Sequence, residues 1–169
     1  GILSGIVTVS VKGSQEKARD ASRIASLDSL NIALRLYYND YGSYPSTNGG
    51  WTSSQNDDHS SMSVKGGNYI PGLVPEYISS LPTDPIGGNS TNISSCNNSG
   101  YKRALLYYSN GTDYKLIIHC GIEDRKNSNS ILTNMLDPLR DGGVAGNVID
   151  GTNEIAWSWG YYSPNAIIW

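Results

Sequence analysis

An α+β fold, a long N-terminal helix packed on a small antiparallel β-sheet, is what this sequence predicts. Three observations lead there: helical spacing of apolar residues through the first quarter of the chain, Gly/Pro/Asn/Ser-rich connections after it, and short β-rich runs in the second half. At 169 residues the chain supports one domain with a real core. Two parts of it are distinguished, residues 1–45 as the helix and residues 46–169 as a loop-rich sheet head.

The opening run GILSGIVTVSV is apolar and uncharged, yet it is about half of the roughly 20 residues that a membrane-crossing helix needs. No basic stretch or cleavage site precedes it, so it does not read as an intact signal peptide. The expectation is a longer hydrophobic helix whose first part is missing from the sequence. After Gly13 charged and apolar residues alternate at helical spacing. Ile24, Leu27, Leu30, Leu34, Tyr37 and Tyr41 fall at steps of three and four and form one stripe, widened by Ala21, Ala25 and Ala33. Arg19, Asp20, Arg23, Asp28 and Arg35 are expected mostly off that stripe, on a solvated or partner-facing side. Gly42 is placed as the C-cap and Pro45 as the stop.

Residues 46–68 are Ser, Asn, Gly and Asp around a single Trp51 and read as a long surface loop. Residues 69–85 carry Pro71, Pro75, Pro82 and Pro85, which leaves room for one or two helical turns around residues 75–79 in an ordered crossing. Residues 87–100 are Asn/Ser-rich and expected to be exposed. Residues 103–108 and 114–120 form the best hairpin, with Asn110-Gly111 favouring a primed turn. Residues 157–162 and 166–169 are the remaining strand candidates.

Function is bounded mainly by what is missing. A formal net charge of −3 gives no electrostatic footprint for nucleic acid, and only 16% of residues are charged. That polar but uncharged surface, rich in Gly, Ser, Asn and Tyr and without Phe, is more typical of secreted and fibre-forming proteins than of cytosolic enzymes. Cys96 and Cys120 would close a loop of about 25 residues in an oxidising compartment, a contribution of about 3 kcal/mol. Paired carboxylates, a nucleophile motif, a phosphate loop and a metal cluster are not found, so an enzyme is the least supported class. Adjacent His119 and Cys120 point to opposite faces of a strand and do not make a nucleophile-base pair. Asp57, Asp58 and His59 read as a solvated loop rather than a metal corner. The tyrosines and tryptophans are expected to replace Phe in the core while their polar tips reach a partner or water.

The segment KARDASRIASLDSLNIALRLYYNDYGSYP, with LVPEYISSLPTDP after it, resembles the type IV pilin and type II secretion pseudopilin family. Residues 17–45 and 73–85 carry the likeness; the second half is similar only in element order. The family's cleavage-site Gly, aromatic first residue and nearby acid are absent, and the cysteines lie centrally, with about 50 residues after them, rather than near the C-terminus. The resemblance implies a lollipop-shaped subunit, held in the bacterial inner membrane before assembly and then polymerised by its helix into an extracellular filament. Its partners would be copies of itself and the pilus or secretion assembly machinery, in adhesion, motility, DNA uptake or secretion. A periplasmic pseudopilin is the nearest alternative, and a membrane-tethered binding module with aromatic loops the alternative from another class. In such a filament Ile2, Leu3, Ile6, Val7, Lys17, Arg19, Asp20 and Arg23 would meet neighbouring subunits. Pseudopilins often hold calcium in a sheet loop, which makes Asp137, Asp141, Asn147, Asp150 and Glu154 candidate oxygen ligands; no other cofactor is expected.

Overall fold

The computed structural model describes residues 2–89, 100–123, 135–138 and 158–169, with side chains from residue 11 onward. It is an α+β fold. Helix α1, Ile2–Tyr41, precedes five strands: β1 Thr52–Ser53, β2 Val64–Lys65, β3 Ala104–Ser109, β4 Tyr114–His119 and β5 Ser158–Tyr162. They form one sheet in the order β2-β1-β3-β4-β5.

The apolar spacing of α1 has the consequence expected of it. Leu27, Leu30, Ala33 and Leu34 are buried, and Ile24 and Tyr37 pack half-buried beside them. Tyr41 departs from the expectation: it lies on the same stripe but is 63% exposed. Its ring lies on the Tyr37 ring, with centroids 4.4 Å apart, instead of entering the core. Gly42 then ends α1 as expected. Its positive φ of 66° admits the left-handed conformation, and its N–H donates to the Tyr38 carbonyl at 2.8 Å.

β3 and β4 alternate cleanly. Leu105, Tyr107, Leu116 and Ile118 face α1 with Trp159, while Ala104, Leu106 and Ile117 face the other way. The β4–β5 pairing is tight at Gly160, where a Cβ would run into the Leu116 carbonyl and the Ile117 Cα. All pairings but one are antiparallel; β1 and β2 run parallel, so the sheet is mixed, not purely antiparallel as expected.

That parallel pair corrects the reading of residues 46–68 as surface loop. The segment supplies two strands and covers the outer sheet face, burying Thr52, Ser53, Ser54, Asp58 and Met62. Its polar residues satisfy one another: Ser53 donates to Asp58 at 2.5 Å, and Asp58 accepts from the Lys102 N–H at 3.1 Å. Composition pointed to a solvated loop because hydroxyls and carboxylates are normally exposed, yet they bury readily once hydrogen-bonded.

Two smaller expectations are also corrected. The Asn110-Gly111 hairpin does not make the expected primed turn, since of the two only Gly111 has a positive φ: the loop runs over residues 110–113, and the Asn110 side chain accepts from the N–H groups of Thr112 and Asp113 and builds the turn itself. Residues 166–169 are not a strand, because Pro164 sets a 3₁₀ turn over Pro164–Ala166. In the crossing, Tyr77 and Ile78 both donate to the Leu73 carbonyl, which makes one turn where one or two were expected.

Candidate functional site

The residues expected at a subunit interface lie on α1, and the structure sorts them into three groups. Ile2, Leu3, Ile6 and Val7 belong to the helix, with side chains outside the described residues. Residues 11–19 are exposed or half-buried, Lys17 among the exposed and Val11 at 50%. From Asp20 onward the helix enters the head. Residues 2–19 thus lead up to a neck at residues 19–23, which is the candidate site.

Asp20 and Arg23 overturn the expectation of a solvated, partner-facing side: both are buried, Arg23 to 1% exposure. Measured in helical steps, Arg19, Arg23, Leu27, Leu30 and Leu34 share one stripe, so the arginines continue the core face. That spacing was the available signal; their charge masked it.

Arg23 is the centre of an ionic cluster drawn from three segments. Its Nε and one terminal nitrogen donate to the two Asp84 oxygens at 2.7 and 3.0 Å, a forked pair. Its other terminal nitrogen donates to Asp20 at 2.8 Å and to Glu123 at 2.7 Å. Arg19 forks onto Glu123 at 2.7 and 2.5 Å. Asp20 also accepts from the Glu123 N–H, and Asp84 accepts from the N–H groups of Ile86 and Gly87. Gly121 allows the close passage, since a Cβ there would approach Asp84 and Arg23 at 3.2 and 3.3 Å.

Burial disfavours the charge on Arg23, but the hydrogen bonds and charges of Asp84 and Glu123 outweigh it and hold the guanidinium protonated more firmly than usual. Burial likewise pushes the Glu123 carboxyl up, and hydrogen bonds from Arg19 and Arg23 outweigh that, holding it down at about 2.

Beside the neck, Ser22, Ala25, Ser26 and Ser29 of α1 and Ile78, Ser79, Ser80 and Pro82 of the crossing line an open groove of about 320 Å³. Ser26 and Ser29 donate back to the helix carbonyls of Ser22 and Ala25.

The calcium reading does not fit Asp137, whose carboxylate is fully buried against the Lys115 ammonium at 2.8 Å. Lys115 also donates to the main-chain oxygens of Ile167 and Trp169. Asp141, Asn147, Asp150 and Glu154 lie outside the described residues. Among the described residues no group of three or more His, Cys, Asp or Glu is placed to hold a metal ion. Cys120 is disulfide-bonded; Cys96, its expected partner, lies outside the described residues. His119 is buried and hydrogen-bonded to Ser158 at 2.7 Å.

Four tyrosines behave as expected, with rings in or against the core and hydroxyls on polar partners. Tyr114 donates to Asn31, Tyr69 to the Pro82 carbonyl, Tyr107 to the Pro45 carbonyl and Tyr161 to Asp28.

No protein-family model, no curated protein and no solved structure matches this chain.

Proposed function

We propose that this chain is a structural subunit that polymerises through its N-terminal helix into a type IV pilus-like filament. One observation carries the reading: α1 is 40 residues long, and among its residues with described side chains, 11–41, burial begins only at Asp20. An isolated α+β head has no use for 18 further helical residues; an assembly helix does. The apolar run at the start of α1 has the composition of a segment covered by lipid or by other copies of itself. Among the described residues no helix is long and apolar enough to cross a membrane.

The neck gives further support. Residues 81–85, LPTDP, are part of the resemblance to pilins and pseudopilins, and here Asp84 of that motif is the forked partner of Arg23. The motif therefore has a physical task in this chain, fixing the helix to the head at the point of emergence.

The test is negative-stain electron microscopy of filaments sheared from the native cells, with mass spectrometry of the band containing this sequence. Thin filaments built mainly of this protein are expected. Recovery only as a membrane-bound monomer would end the filament reading and favour a tethered binding module.

A further inference from the structure

We infer that the Arg23 cluster is a mechanical coupler, which passes a pull along α1 directly to two separate segments of the head. The filament reading explains only why such a pull arises; the coupler is a property of the single subunit.

The argument is one of placement. Residues 2–18 extend about 25 Å at helical rise, and among the described ties of α1 to the head those of the neck come first, so the neck is loaded ahead of the others. There Arg19, Asp20 and Arg23 leave the helix within about one turn and are loaded together. Their partners belong to different parts of the chain: Asp84 to the proline-rich crossing, Glu123 to the segment just past disulfide-bonded Cys120. The forked Arg23–Asp84 and Arg19–Glu123 pairs resist displacement in two directions at once, which a single point charge does not. Deeper in the head α1 is held by apolar contacts of Leu27, Leu30 and Leu34, which are non-directional and yield by sliding, and by single, unforked tyrosine hydrogen bonds to Asp28, Asn31 and Asp40. A helix gripped only by those would be drawn out progressively. The ionic fork at the neck sets the yield point instead.

Single-molecule pulling of the full chain tests this, with handles at exposed positions in two geometries: Lys12 with Ser63, which loads α1 against the head, and Ser63 with Ile168, which loads the head alone. Asp84→Asn is compared with Tyr114→Phe, which deletes the Asn31 hydrogen bond away from the neck. In the first geometry Asp84→Asn is expected to cut the unfolding force by half or more, and Tyr114→Phe to change it little. In the second geometry the two variants should behave alike. A force loss for Asp84→Asn that is no larger in the first geometry than in the second would reduce the cluster to ordinary structural stabilisation and overturn the coupler. Arg23→Lys, which keeps the charge but loses the fork, gives the same readout should Asp84→Asn fail to fold. Filament formation plays no part in either measurement, so the two ideas fail separately.

Discussion

Arg23 is the residue on which most depends. It is a buried charge held by three carboxylates, and removing one partner of such a group leaves the others uncompensated in a low-dielectric site. Arg23→Met is expected to cost about 3–5 kcal/mol in urea unfolding, against well under about 1 kcal/mol for an exposed ion pair. Charge reversal at Arg23 therefore lowers the melting of the isolated chain, whereas a solvated arginine would leave it unchanged. Glu123 gives a pH signature. Its carboxyl titrates at about 2 in the fold against an ordinary 4.5, so its stabilisation is present above the ordinary value and is lost as pH falls from about 4.5 toward about 2. Wild type should melt above Glu123→Gln at neutral pH, and the gap should close through that acid window. A constant gap would show that Glu123 acts by packing alone.

At the scale of the element, α1 combines a gripped stretch and a leading one, and substitutions should report which is which. Leu30→Ala is expected to cost about 2–5 kcal/mol because its side chain is fully buried, while Tyr41→Ala should stay within about 1 kcal/mol. The Lys115–Asp137 pair behaves as a unit: Lys115→Met should destabilise by about 3–5 kcal/mol, and adding Asp137→Leu should restore much of the loss. How far elements were legible in the sequence follows the same physics. Leu27 to Leu34 and the β3–β4 runs could be read because each follows the one periodicity of its element, and Gly42 because a helix end favours the residue that tolerates positive φ. Arg19 and Arg23 were misplaced because charge outweighed spacing in the reading, although spacing decides which side of a helix is covered. Strands β1 and β2 were missed because two-residue strands of Ser, Thr, Val and Lys carry no pattern and exist only through their partners. The C-terminal 3₁₀ turn was masked by β-branched residues, whose preference Pro164 overrides.

For the whole molecule, the division at the neck predicts separable behaviour. A chain starting at residue 18 keeps every described contact of the neck and core, so its head should melt within a few degrees of the full chain by circular dichroism. The same deletion should abolish filament formation, since it removes the apolar run assigned to assembly. Unfolding of the head on that deletion would place essential packing in residues 2–17 and remove the reason for assigning them to assembly.

The two ends of the sheet bear on a different matter, the behaviour of many heads held at high local concentration. Strand β2 is two residues long, and the outer side of β5 is partly occupied by the Leu136 bridge to Trp159 and the Asp137 N–H on Ser158. Among the described residues neither border offers a long row of unpaired main-chain groups on which a foreign strand could lengthen the sheet. In the proposed filament, where many heads would be held at high local concentration, heads of this build are therefore expected to meet through side chains, with contacts that stay reversible instead of maturing into shared, amyloid-like β-structure.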